Sequence, residues 1–263
     1  MSTVFAIANQ KGGVGKTTSS VNLAASLFAT RKKVLLIDLD PQGNATSGSG
    51  VDKQSPEYTV HDVLMGEVDM ATAIVNTPEG SGFDLLSANG DLTAAEVQLL
   101  DMDKREYVLR DALQSVRDNY DFVLIDCPPS LNMLTVNAMT AADSVIVPIQ
   151  CEYYALEGLT SLMNTIEKIR AVLNPSLHIG GLLRTMYDPR NSLSNDVSNQ
   201  LITHFGDKVY RTIIPRNVRL AEAPSHGEPV ITYDSRSRGA VSYLALAGEI
   251  LRREQLLKKA AAS

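Results

Sequence analysis

A glycine-rich segment with two lysines, K-G-G-V-G-K-T at residues 11–17, constrains the fold of this chain most strongly. It follows a continuous apolar run at residues 4–8, which is typical of a parallel strand covered on both faces. It leads into residues 16–29, whose apolar positions fit a helix packed on a sheet. A strand, a glycine-rich turn and a helix in this order bind phosphate, because backbone N–H groups and the helix N-terminus point at one anion. The segment therefore predicts an α/β fold with a nucleotide site at a strand end.

The two lysines of this loop need different roles. In the usual pattern, G-x-x-x-x-G-K-[ST], one lysine contacts the β- and γ-phosphates and the hydroxyl residue binds Mg²⁺. Lys16 and Thr17 occupy those positions, but Gln10 replaces the first glycine and Lys11 precedes the remaining ones. The loop is therefore a deviant phosphate loop in which Lys11 has no role within an ordinary site.

Strand and helix patterns alternate along the rest of the chain, without a Ser/Gly-rich linker or an internal repeat. We expect one domain over residues 1–263, with a mostly parallel, twisted β-sheet flanked by helices. Pro, Gly, Ser, Asn and Thr cluster at residues 41–56, which predicts an irregular loop. The predicted strands lie at residues 34–37, 83–86, 122–125, 144–149, 179–183 and 209–214, and the predicted helices at 60–65, 104–117, 155–172 and 238–257.

Three aspartates follow predicted strands, at the sheet edge where ligands of such folds bind. Asp126 ends a hydrophobic strand, as does the aspartate that holds Mg²⁺, directly or through water, in nucleotide hydrolases. Asp38 and Asp40 follow the second strand, and alternation along an extended chain lets at most one of them face the γ-phosphate. We assign Asp40 to orienting the attacking water, and Asp38 to the surroundings of the magnesium.

The composition excludes several other classes of protein. The two cysteines, Cys127 and Cys151, form no C-x-x-C pair, and the four histidines show no ligand spacing, which argues against a disulfide framework or a metal site built on them. No apolar run is long enough to span a membrane, and no leader-like segment precedes the first strand. We therefore expect a cytoplasmic protein.

The charge of the chain is distributed unevenly. The net charge is −6, but residues 1–183 carry −10 (12 Lys and Arg against 22 Asp and Glu) and residues 184–263 carry +4 (12 against 8). A basic patch on one face binds a polyanion even when the whole molecule is acidic. The C-terminal third therefore predicts a nucleic-acid surface.

Specific sequence motifs cover essentially the whole chain. They are K-G-G-V-G-K-T at 11–17, D-L-D-P-Q-G-N at 38–44, D-C-P-P-S at 126–130, Q-C-E-Y-Y-A-L-E-G-L at 150–159, P-R-N-V-R-L-A-E-A-P-S-H-G at 215–227 and Y-D-S-R-S-R-G-A at 233–240. Together they resemble the ParA/Soj chromosome-partitioning ATPases, whereas the loop alone also fits MinD, nitrogenase iron protein and arsenical-pump ATPases.

The resemblance implies a P-loop ATP hydrolase of the deviant Walker A type that uses ATP and Mg²⁺ and forms a sandwich homodimer with ATP. Lys11 is similar to the signature lysine that reaches the partner's phosphates, as an arginine finger does. Gly12 would lie at the dimer contact. The expected catalytic residues are Lys11, Lys16 and Asp40, and the expected metal-site residues are Thr17, Asp38 and Asp126. Pro215 and Asn217 are expected around the adenine. The full set of expected ATP-binding residues is Lys11, Gly12, Gly13, Val14, Gly15, Lys16, Thr17, Thr18, Pro215 and Asn217.

The same resemblance implies binding to double-stranded DNA without sequence specificity, through phosphate contacts that weaken with salt. A ParB-type centromere-binding partner would stimulate hydrolysis and so segregate a chromosome or plasmid, at the nucleoid. The candidate DNA-binding residues are Arg184, Arg190, Arg216, Arg219, Arg236 and Arg238.

Three other functions compete with this interpretation. A MinD-like membrane-cycling ATPase needs an amphipathic C-terminal helix, but residues 251–263 end in small residues, and we expect docking on the domain and no stable membrane association. A pure binding module would hold ATP as a structural ligand without hydrolysing it, whereas a hydrolase should lose its turnover when Asp40 is changed to alanine. An iron–sulfur reductase would need paired cysteine ligands, which the chain lacks.

Overall fold

A central β-sheet organises the fold. In a computed structural model that describes residues 2–78 and 81–262, it contains eight strands in the order β3-β4-β2-β5-β1-β6-β7-β8. The strands are β1 Thr3–Ile7, β2 Val34–Asp38, β3 Ile74–Asn76, β4 Asp84–Leu86, β5 Phe122–Asp126, β6 Ser144–Gln150, β7 His178–Tyr187 and β8 Val209–Pro215. All neighbours pair in parallel except β3 and β4 at one edge, which are antiparallel. The predicted α/β class with a mostly parallel sheet is confirmed.

The central strands β1, β2 and β5 are buried along their whole length, as their continuous apolar sequences predict. Their register places Ile7 beside Asp126, and Asp126 beside Asp38 on the other side. The polar residues that end these strands are therefore brought together at the carboxyl edge of the sheet, below the glycine-rich loop.

Helices cover both faces of the sheet. In the described part of the chain they are α1 Lys16–Ala29, α2 Asn44–Gly48, α3 Val60–Met65, α4 Met70–Ala73, α5 Leu92–Gln98, α6 Val108–Leu113, α7 Met133–Ala141, α8 Ala155–Val172, α9 Ser192–Phe205, α10 Val218–Glu222, α11 Val230–Tyr233 and α12 Arg238–Ala262. Residues of α1 and α12 share one buried core with β1, β2, β5 and β8, and residues of α3 and α5 to α9 share a second core on the opposite face. Close packing in the first core depends on Gly181, where a Cβ atom would lie 2.3 Å from Tyr210 Cε2.

The prediction of an irregular loop at residues 41–56 is wrong in part, because residues 44–48 form α2. This helix follows Gly43, whose φ of 59° is accessible to glycine, and it is tied to the sheet by Thr46. The Thr46 N–H and hydroxyl both donate to Asp38 Oδ2, at 2.8 Å. A tertiary contact therefore stabilises a helix that its turn-forming residues do not favour.

The structure also differs from the sequence predictions in the length of one helix and in one additional strand. Only residues 108–113 of the predicted helix at 104–117 are α-helical, and a 3₁₀ turn at 105–107 precedes them. The edge strand β3 has three residues, which is too few for a recognisable pattern. The N-cap residues of α7 and α9 are Asn132 and Asn191, whose side chains accept hydrogen bonds from backbone N–H groups of the first turn.

Candidate functional site

The glycine-rich loop connects β1 to α1 at the carboxyl edge of the sheet. Gly13 and Gly15 adopt left-handed backbone conformations, with φ of 73° and 85°, which other residues rarely adopt. Val14 between them is buried and anchors the loop, since its carbonyl accepts a hydrogen bond of 2.8 Å from the Thr185 hydroxyl at the end of β7. The loop is therefore held in a curled form that suits the binding of phosphate to its backbone N–H groups.

Lys16 begins α1 and is buried in the loop. Its Nζ atom donates a hydrogen bond of 3.2 Å to the Lys11 carbonyl. Burial lowers the pKa of Lys16, and the nearby Asp126 carboxylate acts in the opposite direction. A cation partly withdrawn from water interacts strongly with an anionic ligand, so Lys16 is well placed to neutralise phosphate.

Lys11 is exposed and bonded within its own chain. Its Nζ atom forms an ion pair of 2.5 Å with Glu152 Oε2, just after β6, and the two side chains are 43% and 45% exposed. Its backbone N–H donates to Asn9 Oδ1 at 3.0 Å. The sequence did not single out Glu152, which lies 141 residues away. The contact of Lys11 with a partner subunit stays a prediction.

The Asp126 carboxyl group lies fully buried behind the loop. Its Oδ1 atom accepts a hydrogen bond of 2.7 Å from the Ser20 hydroxyl, but Oδ2 has no hydrogen-bond partner among the described residues. Burial, together with the negative charge of Asp38, raises the pKa of Asp126 to about 7. An unpaired buried carboxylate oxygen costs free energy unless a cation or its bound water compensates it. The site is thus chemically suited to a divalent cation.

Asp38 is buried as well, but its carboxylate is already bonded within the chain. Oδ2 accepts the two hydrogen bonds from Thr46, and Oδ1 accepts one of 3.2 Å from the Asp40 N–H. Burial raises the pKa of Asp38 to about 6. Asp38 therefore holds the segment that carries Asp40, and its predicted place near magnesium stays a prediction.

A cavity of about 650 Å³, here called the loop cavity, opens above the loop and holds Asp40 in its wall. The Gln42 N–H donates to Asp40 Oδ1 at 2.9 Å, which fixes that side chain in a turn. Thr93, Glu96 and Met186 also line it, but they lie far from the motifs and no sequence pattern indicates them. The predicted residues that line the loop cavity are Gly12, Gly13, Gly15, Lys16, Thr17, Thr18 and Asp40.

A second cavity of about 210 Å³, here called the Pro215 cavity, adjoins the first. Gly15, Thr18 and Met186 line both cavities, and Pro215 and Asn217 line the second. The remaining wall of the Pro215 cavity is mainly apolar, with Ile214, Leu220, Ala221 and Tyr243 among its residues. The structure thus brings the two residues predicted to flank adenine next to the loop that was predicted to bind phosphate.

Arg184 is a correction to the predicted DNA-binding set. It lies inside β7 and is only 5% exposed. Its guanidinium donates to the Ser198 hydroxyl at 2.9 Å, and to the carbonyls of Tyr210 at 2.8 Å and Arg211 at 3.3 Å. Arg184 therefore joins β7, β8 and α9 and cannot reach a DNA phosphate.

The other five predicted arginines are exposed, and Arg190 and Arg216 follow shortly after β7 and β8 in the chain. Arg190 forms hydrogen bonds of 2.9 and 2.8 Å with Asp188, which lower the pKa of Asp188 to about 2. Arg219 pairs with Glu222 at 2.8 Å and with Asp234 at 3.3 Å. Two of the exposed arginines are thus paired with carboxylates, and all five, here called the basic surface, are Arg190, Arg216, Arg219, Arg236 and Arg238.

Comparison with known proteins identifies the family. The family model described as "AAA domain" matches residues 2–179. The chromosome partitioning protein ParA of Caulobacter vibrioides is 56% identical over 254 residues, with 96% of this chain and 95% of that protein covered. The sporulation initiation inhibitor protein Soj of Bacillus subtilis is 52% identical over 250 residues, with 95% and 98% covered. The chain belongs to the ParA/Soj family of partitioning ATPases.

Two solved structures share this fold. The cobyrinic acid a,c-diamide synthase of Mycobacterium smegmatis, solved with ADP and magnesium, is 40% identical and superposes with a TM-score of 0.85, covering 97% of this chain and 96% of that one. The cell division ATPase MinD of Pyrococcus furiosus is a more distant neighbour, at 28% identity and a TM-score of 0.77, with 96% and 99% covered. Within the described residues, no helix is long and apolar enough to cross a membrane.

Proposed function

We propose that this ParA/Soj ATPase hydrolyses ATP with Mg²⁺, forms a sandwich homodimer with ATP, and binds double-stranded DNA without sequence specificity. A ParB-type centromere-binding partner stimulates its turnover, and the cycle segregates a chromosome or plasmid. The observation that carries the proposal is the adjacency of the two cavities, which share three wall residues and would offer one nucleotide a compartment for its phosphates and one for its base.

The residues of the loop cavity divide the work on the triphosphate. Backbone N–H groups at residues 12–17 and the N-terminus of α1 bind phosphate oxygens, and Lys16 neutralises the β- and γ-phosphates. Asp40 orients the attacking water. The hydrogen bond from the Gln42 N–H to Asp40 Oδ1 holds the Asp40 side chain in the wall of the cavity.

Residues Thr17 and Asp126 would hold Mg²⁺, whose role is to neutralise charge between the β- and γ-phosphates. The unpartnered Asp126 Oδ2 supports this fit. Among the described residues no cluster of three or more His, Cys, Asp or Glu could hold a metal alone. That agrees with magnesium, which takes one or two protein ligands together with phosphate oxygens and water.

The homodimer would place Lys11 against the partner's phosphates, and it would place Gly12 at the contact. A Cβ atom added at Gly12 would meet nothing within 4 Å in this chain, and Gly12 lacks the positive φ of Gly13. Gly12→Val should therefore fold and bind ATP but fail to dimerise with ATP, as measured by light scattering. If Lys11→Ala dimerised and hydrolysed ATP normally, the contact in trans would be refuted.

Hydrolysis is tested at Asp40 with a matched control. Asp40→Ala should keep ATP and DNA binding and lose turnover, because the attacking water loses its partner while the phosphate contacts of the loop remain; the Gln42 N–H also loses its acceptor. Asp52→Ala is the control, since Asp52 closes the same kind of turn by accepting from the Gln54 N–H at 3.1 Å, in an exposed loop. Unchanged turnover in Asp40→Ala would remove the catalytic assignment of Asp40.

DNA binding is tested at Arg219. Arg219→Ala should weaken ATP-dependent DNA binding and lower the salt dependence by about one ion, independently of sequence. Arg170→Ala is the control, because Arg170 forms the same i,i+3 ion pair on α8, with Glu167, outside the basic surface. Equal effects of both changes would show that the basic surface is not the site.

A MinD-like membrane cycle remains the second candidate function. The N-terminal half of α12 is docked, with Tyr243, Leu246 and Ile250 buried, but Leu256 and Leu257 are exposed beside Lys258 and Lys259. Exposed leucines beside lysines suit an anionic membrane surface. Pelleting with liposomes in ATP but without DNA would favour this candidate, whereas pelleting only with DNA favours partitioning.

A further inference from the structure

Met186 has an unusual backbone conformation at the carboxyl end of β7. Its φ is 49°, in the left-handed region that bulky side chains seldom adopt. Such a conformation persists only where the surroundings impose it, and it is often found at ligand sites. The surroundings of Met186 therefore hold its backbone in this conformation.

Both chain neighbours of Met186 are bonded to the walls of the site. The Thr185 hydroxyl donates to the Val14 carbonyl in the phosphate loop, at 2.8 Å. The Tyr187 carbonyl accepts a hydrogen bond of 3.1 Å from the Arg216 N–H, between Pro215 and Asn217. Met186 is thus fixed at the point where the loop and the strand end of the Pro215 cavity are joined.

Met186 lines both cavities. Its Cε atom lies at the phosphate loop, since a Cβ built on Gly15 would be 3.8 Å from it. A thioether is apolar, flexible and polarizable, and it packs well on aromatic and sugar surfaces. It therefore completes the apolar wall where the sugar and base of a nucleotide would pass from one cavity into the other.

We propose that Met186 is a nucleotide-positioning residue, whose thioether packs on the sugar and base of the bound nucleotide while its strained backbone ties the loop to the Pro215 cavity. The inference rests on the proposed nucleotide binding and adds to it a residue outside the known motifs. It predicts that Met186 contributes to the affinity for the nucleoside part and not to the affinity for the phosphates.

The experiment compares two probes on the full chain, Mg-AMPPNP and inorganic triphosphate, each displacing a fluorescent nucleotide. Met186→Ala and Met186→Gly should bind AMPPNP about tenfold more weakly and triphosphate within about twofold of the wild type. Met186→Leu, which keeps an apolar side chain of similar size, should restore AMPPNP binding. Met163→Ala, at a half-buried methionine of α8 away from the cavities, is the matched control.

The glycine variant separates positioning from folding, because glycine adopts a positive φ without strain. Met186→Gly should unfold at a higher temperature than Met186→Ala and yet bind AMPPNP as weakly. Equal loss of AMPPNP and triphosphate affinity in Met186→Ala would overturn the proposal, as would wild-type AMPPNP affinity in both variants. A wild-type chain that bound neither probe would instead refute the nucleotide site itself, and the role of Met186 with it.

Discussion

Arg184 provides the sharpest test of the structure, because sequence and structure assign it opposite roles. The sequence groups it with arginines that contact DNA, whereas the structure buries it among β7, β8 and α9. Arg184→Met keeps the unbranched stem and removes the donors. We expect this change to destabilise the fold, and to lower DNA binding only to the extent that the protein unfolds.

The magnitude follows from the groups that Arg184 leaves behind. Without the guanidinium, the Ser198 hydroxyl and the Tyr210 carbonyl lose charged hydrogen bonds of 2.9 and 2.8 Å, at about 1–3 kcal/mol each. Part of that loss is offset, because burial penalises the charge and lowers the pKa of Arg184. The net loss should be about 2–4 kcal/mol, which is a large share of the 5–15 kcal/mol typical of a folded chain.

Urea denaturation followed by circular dichroism measures the loss directly. Arg190→Met is the matched control: Arg190 has a side chain that is 88% exposed, so the free energy of unfolding of this variant should stay close to that of the wild type. DNA binding at a temperature where both variants are folded should fall for Arg190→Met only. An Arg184→Met protein with wild-type stability and lost DNA binding would refute the argument from burial.

Three further changes test the site and the core. Burial raises the pKa of Asp126 to about 7, and magnesium binds a carboxylate in its ionised form. The affinity for nucleotide at fixed Mg²⁺ should therefore fall about tenfold per pH unit below about pH 7. A flat affinity profile from pH 8 to 5.5 would contradict the assignment of Asp126 to the magnesium site. Glu152→Gln removes an exposed ion pair with Lys11 that is worth about 0.2–1 kcal/mol. A dimer contains two such pairs, so the ATP-dependent dimerisation constant should increase about two- to thirtyfold in sedimentation assays. Weaker dimerisation would show that the pair with Glu152 does not compete with the dimer contact of Lys11. Gly181→Ala should cost about 1–3 kcal/mol in thermal unfolding through its contact with Tyr210, unlike a matched Gly90→Ala, where the new Cβ meets nothing within 4 Å.

Local sequence was sufficient for the parts of the site that depend on one strand and the turn after it. The apolar runs before the glycine-rich loop and before Asp126 could be recognised as buried strands, because no solvated strand has that pattern. Parallel strands end at one edge, so Lys16, Thr17 and Asp40 could be expected in one place, and they line one cavity. The roles of these residues in binding and hydrolysis stay predictions.

Contacts between distant segments could not be predicted in this way. Arg184 was placed with the DNA-binding arginines because its charge is visible in the sequence, while its partners lie 14, 26 and 27 residues further along the chain. Helix α2 escaped recognition for the same reason, since it depends on the Asp38 carboxylate and not on helix propensity. Met186 belongs to no motif and gains its position from hydrogen bonds to either side of it.

A local hydrogen bond links two parts of the proposed cycle. Asn217 lines the Pro215 cavity and at the same time begins α10, where its Oδ1 atom accepts from the Arg219 N–H at 3.0 Å. A ligand in that cavity therefore touches the residue that fixes the first turn of the helix carrying Arg219. Coupling between two sites requires an element that both contact, and in the proposed function α10 would be such an element. DNA binding would then have a physical route to depend on the nucleotide that is separate from the proposed dimerisation through Lys11.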